Sequence, residues 1–267
     1  MRLLHPMILI LLAAGVLPVR AQNWTTSQTP AMAGAPQCVA IGDFNGDGIP
    51  DLVVGTSSDV SILIGNGDGT FQPSINIPSL GSPYGQSGGS FSGQAIAVAN
   101  FVTGGPLDVI QVDNSTSTLN NVVITITDGT GHLASQTFFS LPFGSASAVA
   151  TGAFVAGGSP GFAVTYQNNN AVSIYIGNGD GTFRAPTTYP TGSGPTSIVM
   201  GNFSGHGNVD LATANSGDNT VTVLLNNGNG TFGAPLVIRM PSGLVPVSIA
   251  AGDLGSGHTD LVVGLPR

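Results

Sequence analysis

Residues 42–52 read "GDFNGDGIPDL". Asp43, Asn45, Asp47 and Asp51 fall within nine positions, and Gly46 and Gly48 interrupt the run. The whole chain holds thirteen acidic residues, all of them Asp, so three in one short stretch form a dense cluster. Two local structures suit such a stretch: a loop that grips a cation, or a tight polar turn between strands closed by Asx hydrogen bonds. The stretch decides the fold because it recurs. Weaker copies are "ANFVTGGPLDV" from Ala99, "GAFVAGGSPGF" from Gly152, "GNFSGHGNVDL" from Gly201 and "GDLGSGHTDL" from Gly252. The residue before the Phe or Leu marks them at Asp43, Asn100, Ala153, Asn202 and Asp253, in steps of 57, 53, 49 and 51 residues.

A second signature follows each of the first four copies. "IGNGDGTF" ends at Phe71 and again at Phe183, "LNNGNGTF" ends at Phe232, and "ITDGTGHL" ends at Leu133. Between the two signatures lies an alternation of period two. Val60, Ile62 and Ile64 align with Val122, Ile124 and Ile126, with Val172, Ile174 and Ile176, and with Val221, Val223 and Leu225. That period marks a strand with one buried face. "DLVVG", "DVIQV", "GFAVT" and "DLATA" are apolar on both faces and suit inner strands.

Each unit therefore reads as four strands: one into the acidic loop, one out of it, one into the Gly-rich turn and one away. Four-stranded units of this length are the blades of a β-propeller. A sandwich also uses short strands but does not require the period. Units start near residues 40, 97, 150, 198 and 249, and the fifth holds only two strands. "NWTTSQTPAMAGAPQCVA" near the N-terminus resembles the outer strand and linker "FRAPTTYPTGSGPTSIVM", so it is a candidate to supply the last blade's outer strand. A five-bladed ring and an open fragment of a larger array are both compatible with the count. An open blade edge would invite self-association.

Residues 1–21 stand apart. A basic start "MRLLHP", the apolar run "MILILLAAGVL" and "PVRA" read as a secretory signal cut after Ala21. An uncleaved anchor is the alternative, although the run is short for a bilayer. No later run reaches membrane length, so a stable span is not expected after cleavage. The repeat domain is residues 22–267 and the expected location is secreted or cell-surface. The formal charge of −8 sets the chain against phosphate backbones and argues against nucleic acid as a partner. Cys38, the single cysteine, has no internal disulfide partner and reads as a small apolar strand residue.

A loop of the form D-x-N-x-D-G-x-x-D suits Ca²⁺, which takes six to eight oxygen ligands. Asp43, Asn45 and Asp47 offer side-chain oxygens, Ile49 its backbone carbonyl, and Asp51 closes the shell. It is not an EF-hand: Val54 stands where that loop carries a Glu, and the flanks are strand-like.

"DFNGDGIPDLVVG" followed by "LIGNGDGTF" resembles the FG-GAP, or VCBS, repeat of integrin alpha-chain propellers and secreted bacterial proteins, over residues 23–267. The resemblance implies a β-propeller with Ca²⁺ in inter-strand loops and with adhesion or ligand contact on one face. Only the first loop carries the full motif. Asn100 and Asp108 survive in the second, with Val102 and Gly104 at the middle positions. Ala153 and Gly161 replace both ends of the third, where no metal is expected. Asn202, Ser204 and Asp210 remain in the fourth beside His206, a poor ligand for a hard cation. Asp253 and Asp260 remain in a fifth loop one residue short. The Gly-rich turns, with Asn66 and Asp68 or Asn178 and Asp180, read as hairpin turns rather than metal sites.

No H-E-x-x-H or P-loop sequence is present, "GGSPG" reads as a Gly/Ser-rich linker, and His132, His206 and His258 sit in turns or degraded loops. The expectation is a non-catalytic Ca²⁺-binding propeller for adhesion or recognition of an extracellular protein or glycan. A polysaccharide-acting hydrolase or lyase on the same scaffold is the rival, and a truncated relic of a longer repeat protein is a third reading. Trp24, Tyr84, Phe91, Tyr166 and Tyr189 lie near segment ends and are the candidates for a sugar platform. Asn23 and Asn114 head glycosylation sequons.

Overall fold

A computed structural model describes residues 9–12, 32, 34–56, 59–78, 93–113, 121–255 and 257–266. Among them the chain is all-β, with nineteen strands and no helix. The first strand, β1 (Leu9–Leu12), belongs to the last sheet. Four antiparallel four-stranded blades follow in chain order, each a meander. Blade 1 comprises β2 (Pro36–Gly42), β3 (Asp51–Thr56), β4 (Asp59–Leu63) and β5 (Ile75–Pro78). Blade 2 comprises β6 (Gly93–Ala99), β7 (Asp108–Asp113), β8 (Asn121–Thr127) and β9 (Leu133–Ser140). Blade 3 comprises β10 (Ala146–Gly152), β11 (Gly161–Tyr166), β12 (Ala171–Tyr175) and β13 (Thr187–Pro190). Blade 4 comprises β14 (Pro195–Gly201), β15 (Asp210–Asn215), β16 (Thr220–Leu224) and β17 (Leu236–Arg239). The partial fifth holds β18 (Ser248–Gly252) and β19 (Asp260–Gly264).

The expected β-propeller blades are thus present, and the repeat reaches down to register. Gly42 pairs with Asp51, Ala99 with Asp108, Gly152 with Gly161, Gly201 with Asp210 and Gly252 with Asp260. The register also shifts near the start of each complete blade's first strand, as between Pro36 and Cys38. Such a bulge increases local twist.

The partial blade differs from the sequence expectation. Its third strand is β1, from inside the stretch read as a signal, and it runs parallel to β19 with Leu9 opposite Leu261. The edge of β19 offers unpaired N–H and C=O groups, and an extended apolar run satisfies them in either direction. Of the segment expected to supply an outer strand, residues 23–31 lie outside the described residues, and Pro36 onward is the first strand of blade 1.

The chain divides into two compact units. One holds residues 15–100 and 104–141, with blades 1 and 2. The other holds 1–14, 101–103 and 142–267, with blades 3, 4 and the partial fifth. In the first unit Ala40, Phe44, Val53, Val60 and Ile62 of blade 1 meet Ile96, Val98 and Val109 of blade 2. In the second, Ala148, Ala150, Ala163, Val172 and Ile174 of blade 3 meet Ile198, Met200, Leu211 and Leu224 of blade 4. The other face of blade 4, with Val199, Ala212, Val221 and Val223, meets Ile249, Ala251, Leu261 and Val263. Alternate residues of one strand therefore serve opposite neighbours, as a two-residue period requires. Each buried aliphatic side chain contributes about 1.5–3 kcal/mol.

The blades are tight where the second and third strands meet the Gly-rich turn. A Cβ on Gly161 would lie 2.0 Å from the Tyr175 carbonyl oxygen, and one on Gly177 would lie 1.9 Å from that of Pro160. Both obstacles are backbone, which does not swing aside. Gly161→Ala is therefore expected to destabilise the chain by about 2 kcal/mol, the scale of core overpacking, read as a lower urea midpoint at unchanged slope.

Candidate functional site

The loop joining β2 to β3 wraps its backbone around its own side chains. Asp43 accepts the N–H of Gly46 on Oδ1 at 2.7 Å and that of Gly48 on Oδ2 at 2.9 Å. Asn45 accepts the Asp47 N–H at 3.0 Å, and Asp47 accepts the Ile49 N–H at 2.8 Å. The Asn45 amide donates to Asp47 Oδ2 at 2.8 Å, which brings those two side chains together. Asp47 is exposed, while Asp43, Asn45 and Ile49 are half-buried. An oxygen accepting one N–H keeps a second lone pair, so this donor set suits a hard cation.

Asp51 is placed differently. It is fully buried, accepting the Phe44 N–H on Oδ2 and the Gly65 N–H on Oδ1, both at 2.8 Å. It ties the acidic loop to the Gly-rich turn of the same blade, and two N–H donors stabilise a charge that burial alone would oppose. The device repeats. Asp210 accepts from Ser204 and Asn226, both at 2.8 Å, Asp260 from Leu254 at 3.0 Å and Asp108 from Thr127 at 3.2 Å. All are buried. This anchoring role was missed in the sequence, although a lone Asp opening an otherwise apolar strand is its signal. Among the described residues no three His, Cys, Asp or Glu side chains form a metal-type group. In the first loop Asn45 and Asp47 touch directly, while Asp43 is held by the N–H groups of Gly46 and Gly48.

The degraded loops have found other partners. Val102 and Val155 stand where the first loop has Asn45, and each forms an isolated β-bridge to the Gly-rich turn of the following blade, at Asp180 and Asn229. Thr103 N–H donates to Gly179 at 2.9 Å and Ala156 N–H to Gly228 at 3.2 Å. In the second loop the Asn100 amide donates to the Gly105 carbonyl, and its Oδ1 is buried without a partner. In the third, the space beside Gly161 is filled by Tyr175 backbone, so no carboxylate fits. In the fourth, Ser204 Oγ accepts the His206 N–H at 3.4 Å. In the fifth, Asp253 accepts from Gly255 at 2.8 Å and Gly257 at 3.0 Å, both on Oδ1, where Asp43 uses both of its oxygens.

The Gly-rich turns close on themselves. Asp68 Oδ1 accepts both the N–H (2.9 Å) and the hydroxyl (2.6 Å) of Thr70. Asp128 with Thr130, Asp180 with Thr182 and Asn229 with Thr231 do the same. The Thr hydroxyl and N–H bonds hold Asp68, Asp128 and Asp180 below the usual carboxylate range. Asn226, which replaces the turn-entry Gly65 and Gly177, donates to Phe154 at 2.8 Å and Val209 at 3.0 Å, linking blades 3 and 4. Beside it lies a cleft of about 170 Å³ lined by Phe154, Val155, Gly157, Asn208 and Asn226, among others. That is below the roughly 300–1,000 Å³ of ligand pockets.

Of the aromatic candidates, Tyr166 is core: it is fully buried, its ring is edge-on to Phe143 at 5.2 Å, and burial raises its phenol pKa. Tyr189 packs on Phe232 at 5.5 Å and accepts the Phe232 N–H at 3.1 Å. Trp24, Tyr84, Phe91, Asn23 and Asn114 lie outside the described residues. Cys38 is half-buried, and burial pushes its thiol pKa up. No helix of the described residues is long and apolar enough to cross a membrane.

The sequence profile of the FG-GAP-like repeat matches residues 23–101 and 202–263, more than half of the chain. The chain belongs to this repeat family, and its blades are those of a β-propeller fold. No curated protein is similar enough to count as a relative. Among solved structures, an Agrocybe aegerita lectin that recognises non-reducing terminal N-acetylglucosamine matches at 21% identity and TM-score 0.53, over 74% of this chain and 50% of the lectin. A functionally unknown protein from Desulfotomaculum acetoxidans matches at 12% identity and TM-score 0.59, over 84% of this chain and 62% of that one. The Tc holotoxin pore of Photorhabdus luminescens matches at 20% identity and TM-score 0.51, over 90% of this chain and 11% of that one. The chain spans half of the lectin's length, and at these identities the likeness is one of fold.

Two expectations follow from the carboxylates. In metal-free buffer, Asp51→Ala leaves two buried N–H groups unpaired and should cost about 2–6 kcal/mol, each such group being worth ~1–3. Asp47→Ala, at an exposed position, should cost under about 1 kcal/mol; urea unfolding reads both. The second concerns acid. Because Asp68, Asp128 and Asp180 have lowered pKa values in the fold, their turns contribute stability above the unfolded carboxylate value of about 3.9 and lose it as pH falls through the lower folded values. Thr182→Val should move the Asp180 titration back up, seen by carboxyl NMR.

Proposed function

We propose that the protein is a secreted, non-catalytic, Ca²⁺-binding propeller-type repeat protein that serves adhesion or recognition of an extracellular glycan or protein. The observation that carries the reading is the first loop, where Asp43, Asn45 and Asp47 converge on one exposed turn whose backbone N–H groups are already engaged. Ca²⁺ would be held by Asp43, Asn45, Asp47 and the Ile49 carbonyl, with Asp51 behind them. Bound there, the cation would neutralise the Asp43 and Asp47 carboxylates and fix the loop. The lectin that shares the fold binds a terminal sugar, which supports glycan as the first ligand class to test. The acidic chain, at −8, disfavours nucleic acid.

The leader belongs to the same proposal: cleavage after Ala21 removes β1 and leaves the β19 edge unpaired. The test is made on chain recovered from the medium of an expressing host, expected to begin at Gln22. Ca²⁺ at ten times its dissociation constant should stabilise this chain by about 1.4 kcal/mol. Chelator and Asp47→Ala should each abolish that gain. A glycan array should show Ca²⁺-dependent retention without turnover. An unchanged melt in excess chelator removes the metal, and metal-dependent cleavage of a glycan overturns the non-catalytic reading.

A further inference from the structure

The same blade-to-blade contact recurs within each compact unit, and blade 1 and the partial blade each carry half of it exposed. The backward-facing pair on a blade's first strand is Ile96 and Val98 in blade 2, Ile198 and Met200 in blade 4, and Ile249 and Ala251 in the partial blade. Each pair packs against the preceding blade. The pair in the same register of blade 1 is Val39 and Ile41, and these are 60% and 65% exposed. The forward-facing residue after each loop marker is Phe44, Phe101, Phe154 and Phe203, at 0%, 1%, 1% and 5% exposure. Its counterpart in the partial blade is Leu254, which is 52% exposed. Ala250, in the register of the core-facing Ala40 and Ala150, is exposed as well.

We propose that these two faces are an interaction surface for a second copy of this chain, joined head to tail. The Val39–Ile41 face of one copy seats on the Leu254 face of the next. The partner is argued from continuity. The two faces are the two halves of the contact already built between blades 1 and 2, 3 and 4, and 4 and 5, so each presents the chemistry its counterpart accepts. β-Branched and Leu side chains exposed at 52–65% on sheet faces lose apolar area to water unless so covered. The contact is heterologous: the patch used by one copy differs from the patch used by the other, and association closes a ring or runs on as an open array according to its rotation. The inference does not depend on the metal or the ligand.

Sedimentation velocity of the full chain over a micromolar concentration series tests it, in buffer with chelator so that metal plays no part. The wild type should associate with concentration. Ile41→Asp and Leu254→Asp, each placing a charge in the contact, should each raise the half-association concentration about tenfold or more. Val39→Asp serves as a second variant of the first face, and thermal melts confirm that all three variants fold. Mixing Ile41→Asp with Leu254→Asp should restore one productive contact and give a complex that stops at two copies. A wild type that stays monomeric overturns the proposal. So does association that one face's variants abolish and the other's leave unchanged, since that is a symmetric pairing, and so does association that survives the double variant Ile41→Asp/Leu254→Asp.

Discussion

A sheet that is apolar on both faces cannot bury itself. β15 shows the constraint: Leu211 serves one neighbouring blade, while Ala212 and Ala214 serve the other. Neither face is available to solvent, so the blade exists only between neighbours, as in other repeat architectures. The rest of the structure follows from that demand. Residues at the contact are small where the sheets approach closely, and the Phe after each loop marker fills the space beside the loop. The Gly-rich turn of one blade presses on the aliphatics of the blade before it. Gly230, for instance, has φ +83, and a Cβ there would lie 2.3 Å from Ile176 Cδ1. Only a residue without a side chain meets both conditions.

The buried Asp carries the second demand. A loop at the blade rim must be held by something other than apolar contact, because its tip is polar and wet. Asp51 does this from beneath, with one oxygen on Phe44 N–H and the other on Gly65 N–H. Asp43, Asn45 and Asp47 are left to order the loop tip itself. Loops that have lost those outer groups show the same separation. Val102 and Val155, at the place of Asn45, bridge instead to the next blade's turn. Blade 3 dispenses with the Asp anchor as well, since Gly161 lies directly against the Tyr175 carbonyl.

The blades were legible in the sequence because their signals are local and repeated. The alternation through Val221, Val223 and Leu225 needs no tertiary information, and the spacing of the Phe markers sets the number of units. Much of the first loop was legible for the same reason, since Asx turns join residues two to five positions apart. What was not legible depends on distant parts of the chain. Asp51 reads as a fifth ligand in the loop, and its double engagement appears only when Gly65, fourteen residues on, is brought to it. Asn226 reads as a turn residue, yet its amide reaches Phe154, seventy-two residues away. The strand completing the last sheet came from an apolar run that also has the composition of a leader, and composition does not separate those two roles.

Core and surface meet within three consecutive residues. Phe44 is buried in the contact between blades 1 and 2, while Asp43 and Asn45 on either side of it hold the loop that faces water. An extended chain sends neighbours to opposite sides, so one short segment serves the core and the surface without compromise to either. This explains how the copies diverge. Phe101, Phe154 and Phe203 are all kept and buried, because losing one would leave a void between sheets. The flanking positions have drifted to Asn, Ala, Val and Ser, because a loop tip in water costs the fold little when it changes. The first loop keeps its full set of oxygens although the blades of the other copies stand without theirs. The packing of the blades therefore does not call for Asp43, Asn45 and Asp47, whose side chains engage the loop's own N–H groups and one another.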